Sequence, residues 1–432
     1  MNRAARRRFT LPRIVRDNVT YLPYFVAVSL INYVFQLLMA RSLSPGHYAV
    51  MVASLSLVAI LASPGAIIAN LSTRTVSTYW ATGSFVQLRR LLSRVWIWLA
   101  SGSIAISLLL LLPSGRMAQL LSIDSTWAMT WVVIAVAPAL LAPLMAGMLQ
   151  GTRSFGFFGA FTTIASGSRL LMGFAVVALG LGAAGAVATN PISGLLALFF
   201  GYLAWRWIIR GNSDEQQTGI KVQLPIRDQL KVAAIGVVQI VLFNLDILFV
   251  KALFEDRVAA DYAAAALIGR TVFFVASPIV TVLLPNVIHS VTRREPYVGM
   301  FLFSASAVVG LCAIGVVLVF WIPGALYGIV FADAYQPYQD VLRAYAISGS
   351  LLALLLLLSA FHIGVSNLRV WIPMCVLLPL PALSYGIFNA TPGEIAWGMV
   401  VALVVYNLYM LAETGLFLAN RRGSAGVPAT PA

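Results

Sequence analysis

Twelve apolar stretches of about twenty residues or more follow one another along this chain, most of them separated by short polar connections. They are read at 19–41, 47–71, 90–112, 127–149, 155–180, 184–207, 230–254, 262–288, 297–320, 338–362, 368–389 and 394–419. A helix rises about 1.5 Å per residue, so about twenty residues cross the roughly 30 Å hydrocarbon core of a bilayer. Lipid offers no partner to backbone N–H and C=O groups, which restricts a spanning segment to a helix or a closed barrel. The alternating pattern of a barrel strand is absent. Composition agrees: 60% of the 432 residues are hydrophobic and 10% are charged, where soluble domains carry about 25% charged residues. The predicted class is an all-α integral membrane protein of about 12 transmembrane helices, with almost no soluble domain.

The cations orient these spans. With residue 1 on the cytoplasmic side, twenty-one of the 28 Lys and Arg residues fall in cytoplasmic segments and four in outer ones (Arg41, Arg116, Lys251, Arg257). Every connection then obeys the positive-inside rule, and both termini are expected in the cytoplasm. The net charge of +14 is thereby accounted for without nucleic acid as a partner. Only three of the cations are lysines, and arginine's planar fork suits phosphate. The basic stretch Arg3–Arg16 leads into a full-length apolar segment, so no cleavable signal peptide is expected.

The longest polar stretch, 210–229, divides the chain in two. The predicted organisation is a basic cytoplasmic segment 1–18, a first lobe of six spans at 19–209, the linker 210–229, a second lobe of six spans at 230–419 and a cytoplasmic tail 420–432. Tyr48 with Ala62-Ser63-Pro64 recurs as Tyr262 with Ala276-Ser277-Pro278, an offset of 214. Gly151 and Gly364 repeat at 213. Two matches at nearly one offset imply a parallel internal repeat: two six-helix lobes about an axis along the membrane normal, with a cavity between them.

Charges inside spans are costly and by default face a cavity. Arg169, in Ala165-Ser-Gly-Ser-Arg-Leu, is either a cavity cation for an anionic substrate or a charge satisfied by carbonyls or a nearby carboxylate. Asp246 and Arg270 lie at similar depth on consecutive antiparallel spans, so they form a structural ion pair, a coupling or gating pair, or both. Arg343, a turn inside its span beside Asp340, either faces the cavity or snorkels outward. Arg74 joins the cation candidates, and Asn32, Gln36, Gln239, Asn244 and Asn407 the polar ones. Glu413 reads as an interfacial anchor and His362 as a hydrogen-bonded interfacial histidine.

Several chemistries are excluded. There is no Gly-x4-Gly-Lys-Ser/Thr loop for a nucleotide. The three histidines offer no triad, and the two cysteines offer neither a metal site nor a disulfide framework. No large outer loop exists to hold a polymerase or hydrolase centre. Transport fits better than catalysis, with no catalytic residue, metal or cofactor expected.

One local pattern resembles a known family. Ala40-Arg-Ser-Leu-Ser-Pro-Gly-His-Tyr48 looks like the Ala-Arg-x-Leu-Gly-Pro-x-x-Tyr-Gly signature of polysaccharide exporters. These are the O-antigen-flippase-like branch of the multidrug/oligosaccharidyl-lipid/polysaccharide (MOP) exporter superfamily. Gly83-x4-Leu88-Arg-Arg-Leu-Leu, Leu149-Gln-Gly-x3-Phe155, Asp246-x4-Lys251 and Asp261-Tyr-x-x-Ala-Ala fit the same pattern, whereas Ser44, Ala49 and Asp261 replace expected glycines. The resemblance implies a V-shaped, two-lobe MATE-like transporter in a bacterial cytoplasmic membrane. It implies a substrate, undecaprenyl-diphosphate-linked oligosaccharide, moved to the outer leaflet by alternating access. Coupling to protons or sodium would run through Asp246, and membrane lipids, a polysaccharide polymerase and glycosyltransferases would be partners. Arg169 and Arg270, then Arg343 and Arg74, would neutralise the diphosphate. Alternatives are a cation-coupled multidrug antiporter on the same fold, which would prefer cavity carboxylates, and a non-transporting scaffold of polysaccharide synthesis.

Overall fold

Serine side chains cap the start of two of the helices, and prolines mark some of the bends. Ser44 accepts a hydrogen bond from His47 N at 3.4 Å, with Pro45 in the first helical turn, and Ser125 accepts from Ala128 N at 3.2 Å. The computed structural model describes residues 13–123, 125–210, 226–293, 296–331 and 335–424. The helices of the first half are α1 (Arg13–Ser42), α2 (Pro45–Leu61), α3 (Gly65–Ala81), α4 (Phe85–Leu111), α5 (Ser114–Leu120), α6 (Thr126–Gly151), α7 (Phe155–Ala178) and α8 (Gly182–Arg210). The second half has α9 (Ile226–Leu253), α10 (Asp256–Gly269), α11 (Thr271–Arg293), α12 (Val298–Trp321), α13 (Pro323–Phe331) and α14 (Gln339–Gly364). A 3-10 turn at Leu368–Val370 then leads to α15 (Trp371–Val376), α16 (Pro379–Ile387) and α17 (Pro392–Ser424). No strand occurs among the described residues.

Among the described residues, eleven helical segments are long and apolar enough to cross a membrane, twelve with the bent pair α2–α3 counted as one. The expected span 47–71 is longer than read, because α3 continues to Ala81 beyond a 48° bend at Ala62-Ser63-Pro64. Proline lacks the N–H that would carry the helix on and disfavours helical geometry before it. The span expected at 262–288 begins at Asp256 and breaks after Gly269; Pro278 lies inside α11 without a break. Pro379 and Pro381 split the eleventh span into α15 and α16. Two short helices unmarked by the span pattern, α5 and α13, occupy the connections after α4 and α12. Residues 1–12, 211–225 and 425–432 lie outside the described residues, and with them most of the expected basic segment, linker and tail.

The two halves pack alike. In the first, α3 lies against α6, α6 against α8 and α2 against α6; in the second, α11 lies against α14, α14 against α17 and α10 against α14. The glycines of the repeat sit at the same junction. A Cβ on Gly151 would come within 2.6 Å of Val76 Cβ on α3, and one on Gly364 within 2.6 Å of Val287 Cγ1 on α11. Both helices end in the same cap: Ser154 N donates to Leu149 O (3.1 Å) and Asn367 N to His362 O (2.9 Å). The left-handed residue of each cap is not glycine but Arg153 (φ 57°) and Ser366 (φ 60°), again 213 apart. Large apolar side chains such as Trp98, Leu112, Phe303 and Trp321 are exposed around the outside, as lipid contact requires.

Candidate functional site

The halves meet through α2 against α9 and α10, and through α3 against α9. At the arginine-poor end they are pinned by hydrogen bonds. Lys251 Nζ, held by Asp256 Oδ1 of its own half (2.6 Å), donates to Ser122 O (2.6 Å), Tyr335 Oη donates to Ala40 O (2.6 Å), and Arg41 Nε to Val330 O (2.6 Å). Between the halves lies a cavity of about 470 Å³, walled by α1, α2 and α7 of the first half and by α9, α10 and α11 of the second. That volume is in the range of small-molecule sites.

Helical geometry decides which residues reach the cavity. Side chains advance about 100° per residue around a helix. On α9, Phe243, Asn244 and Ile247 face the cavity. Asp246 and Gln239, a multiple of about two turns apart, face the interior of the second half. Gln239 Nε2 donates to Ser359 Oγ at 3.0 Å and does not reach the cavity, contrary to expectation. Asn32, Gln36 and Asn244 do line it, together with Ser29, Ser56, Tyr33 and Tyr48.

Arg169 and Arg270 both line the cavity, in different electrostatic settings. Arg169 reaches from α7 to Asn32, donating from Nη2 to Oδ1 at 2.8 Å, and lies over the Phe35 ring at 4.6 Å. Its Nε is buried without a hydrogen-bond partner, and among the described residues no carboxylate pairs with it. A second cavity of about 240 Å³ inside the first half, bounded by Asn190, Ser193 and Ser166, shares Arg169 and Asn32 with the first. Arg270 is paired: Nη2 lies 3.7 Å from Asp246 Oδ1 and donates to Phe243 O, with the guanidinium over the Phe243 ring (4.3 Å) and the Tyr345 ring (5.5 Å). Asp246 is fully buried, and its Oδ2 accepts from the hydroxyls of Tyr262 (2.9 Å) and Tyr345.

The other two cations lie elsewhere. Arg343 stands in the first turn of α14, 3.9 Å from Asp340 and over the Phe320 ring at 5.4 Å. Its side chain is half-buried, with Nε buried and without a hydrogen-bond partner. Arg74 is exposed on α3 past the bend. Neither lines the cavity. At the arginine-rich end His362 is fully buried, hydrogen-bonded to Thr414 (2.9 Å) and Asn367 (3.1 Å), and Asn367 also donates to Glu413 (3.2 Å). Asn407 is taken up by backbone, donating to Leu403 O and Leu351 O. Sequence reading missed the tyrosines. Tyr262, Tyr345 and Tyr385 surround Asp246, and their signal was a hydroxyl carried on residues that count as apolar. Among the described residues no group of three or more His, Cys, Asp or Glu is placed to hold a metal ion.

No protein-family model matches this chain, and no curated protein sequence matches it. Solved structures do. The inward-facing conformation of a multidrug resistance MATE family transporter of the MOP superfamily is 13% identical, with a TM-score of 0.69, covering 90% of this chain and 95% of its own. The outward-facing conformation of a transporter described in the same words is 16% identical, with a TM-score of 0.61 and 95% of both chains covered. A MOP superfamily transporter from Pyrococcus furiosus is 15% identical, with a TM-score of 0.59, covering 93% of this chain and 95% of its own. For that protein a reversed polarity of the binding pocket is described as suggesting a different function. At these identities the likeness establishes the fold: this chain folds as the MATE transporters do.

Proposed function

We propose that this chain is a transporter that moves an undecaprenyl-diphosphate-linked oligosaccharide across a bacterial cytoplasmic membrane, for assembly of a surface polysaccharide. The observation that carries the reading is Arg169: a guanidinium on the cavity wall with a buried, unpartnered Nε and no carboxylate against it. Placing such a charge at membrane depth costs about 2.5–3.5 kcal/mol on insertion scales, a cost that an anionic ligand offsets. A diphosphate diester supplies acceptor oxygens that the guanidinium fork can meet in pairs. Phe274 and Val275 line the cavity and are 47% and 54% exposed, which gives it an apolar rim where a polyprenyl tail can remain in the bilayer. Arg169 is the main seat and Arg270 the second; Arg343 and Arg74 drop out because they lie outside the cavity. The likeness to MATE transporters supports rocking of the two halves as the means of alternating access.

The second reading is a cation-coupled multidrug antiporter, favoured by the multidrug transporters among the structural neighbours. An organic cation calls for a carboxylate in the cavity, and among the described lining residues there are two arginines and no Asp or Glu. The test is reconstitution. Proteoliposomes loaded with a radiolabelled polyprenyl-diphosphate oligosaccharide are treated outside with a membrane-impermeant glycosidase. Complete cleavage that requires the protein supports flipping; cleavage that stops at the outer leaflet, with or without protein, sinks it. Uptake of a fluorescent cationic dye in the same vesicles would then favour the antiporter.

A further inference from the structure

The cavity of about 240 Å³ inside the first half has no part in the function proposed above. Its walls are α1, α6, α7 and α8. Small residues leave the space, among them Ala139 and Ala142 on α6 and Gly194 on α8. Asn190 on α8 and Ser166 on α7 add an amide and a hydroxyl, both able to donate hydrogen bonds. Among the described lining residues Arg169 is the one charged group, with no Asp, Glu, Lys or His beside it. Its Nη2 is taken up by Asn32, which stands on the wall of both cavities, and its Nε is buried without a partner. A buried guanidinium N–H with no acceptor is costly, and a counter-anion relieves that cost.

We propose that this cavity binds a small monovalent inorganic anion of the halide kind, and that the anion leaves when a diphosphate takes Arg169 from the side of the central cavity. Charge sets the valence. One guanidinium balances one negative charge, whereas a phosphate dianion would leave an excess charge buried. Size agrees with charge: a water takes about 30 Å³ of liquid volume, so the cavity holds a halide together with several waters. The exclusion follows from the shared cation. Two anions on one guanidinium would place an uncompensated negative charge inside the first half, where the dielectric is low. Each ligand therefore weakens the other by the same factor. The halide site stands on the geometry of the first half alone; its displacement rests on the diphosphate reading above.

The experiment uses the purified full chain in halide-free gluconate buffer, with bromide exchanged for gluconate at constant ionic strength. The thermal midpoint should rise saturably with bromide. In crystals grown with bromide, an anomalous peak should lie in the first-half cavity between Arg169 and Asn190. Asn190→Leu should weaken the apparent bromide affinity by about tenfold, and Arg169→Gln should abolish the bromide response. A midpoint indifferent to bromide, an unchanged bromide affinity in Asn190→Leu, or a peak only elsewhere overturns the site. Should Asn190→Leu fail to fold, the position of bromide in the wild type decides. Calorimetric titration with a dialkyl diphosphate diester then reads the exchange. Its affinity should fall about tenfold when bromide stands at about ten times its own dissociation constant. Equal diester affinity at every bromide concentration overturns the exchange and leaves the diphosphate reading standing. If the diester fails to bind without halide, the diphosphate reading falls, and the bromide titration alone sustains or overturns the site.

Discussion

At one position of the repeat the first half carries an amide and the second half a carboxylate. Asn32 on α1 and Asp246 on α9 stand 214 residues apart, the spacing of Tyr48 and Tyr262. Each faces an arginine of its own half, Arg169 for Asn32 and Arg270 for Asp246. Oxygen meets guanidinium in both, but the charge differs by one. Arg169 with its amide keeps a full positive charge at the cavity, whereas Arg270 with its carboxylate forms a nearly neutral pair. The arginines themselves come from different places in the repeat, α7 and the end of α10. What corresponds is the partner position, and a single side-chain change there separates a charged seat from a compensated one.

The comparison breaks most severely at Arg169. Arg169→Gln removes the uncompensated charge, and a charge-assisted contact of about 1.5–3 kcal/mol predicts a loss of affinity of about 10- to 100-fold for the dialkyl diphosphate, measured by calorimetry. Asn32→Asp should convert the first half into a copy of the second. Arg169 then gains a carboxylate, and affinity falls by about tenfold while Arg169 remains in place. An unchanged affinity in Asn32→Asp would mean that compensation of Arg169 is irrelevant.

The repeat itself is tested by its glycines. Gly151→Ala and Gly364→Ala each force a Cβ against a valine on the facing helix, and overpacking of this kind costs about 1–3 kcal/mol. Similar falls in thermal midpoint for the two variants would match the equivalence of the two junctions; a large fall in one alone would break it. Tyr345→Phe removes one hydroxyl from Asp246 and should cost about 1 kcal/mol of stability, with diester affinity at most slightly raised. Arg343→Gln touches a long, partly exposed pair with Asp340 outside the cavity and should change affinity and thermal midpoint within about 0.5 kcal/mol.

Much of the fold was legible because apolar length acts on the whole chain at once. Each expected span has a helical counterpart, and the glycine repeat marks equivalent packing sites. The bends were less legible. Ala-Ser-Pro breaks the α2–α3 span but lies within unbroken α11, because helix continuity at a proline depends on what packs around it. At the site, a list of polar residues inside spans picked out Arg169, Asn32, Gln36, Asn244 and Arg270, which line one cavity. The same list could not tell which way each residue turns. Gln239 and Asp246 share the list with Asn244 but occupy the opposite side of α9, and that follows only from the rotation of α9 against its neighbours. Phe35 and the three tyrosines around Asp246 escaped because aromatic residues in apolar runs read as core.

The most direct test of the free charge on Arg169 is a structure of the protein with a bound polyprenyl diphosphate. The account predicts phosphate oxygens within about 3 Å of the Arg169 guanidinium, inside the cavity between the halves. A headgroup seated elsewhere, with Arg169 still donating only to Asn32, would contradict it.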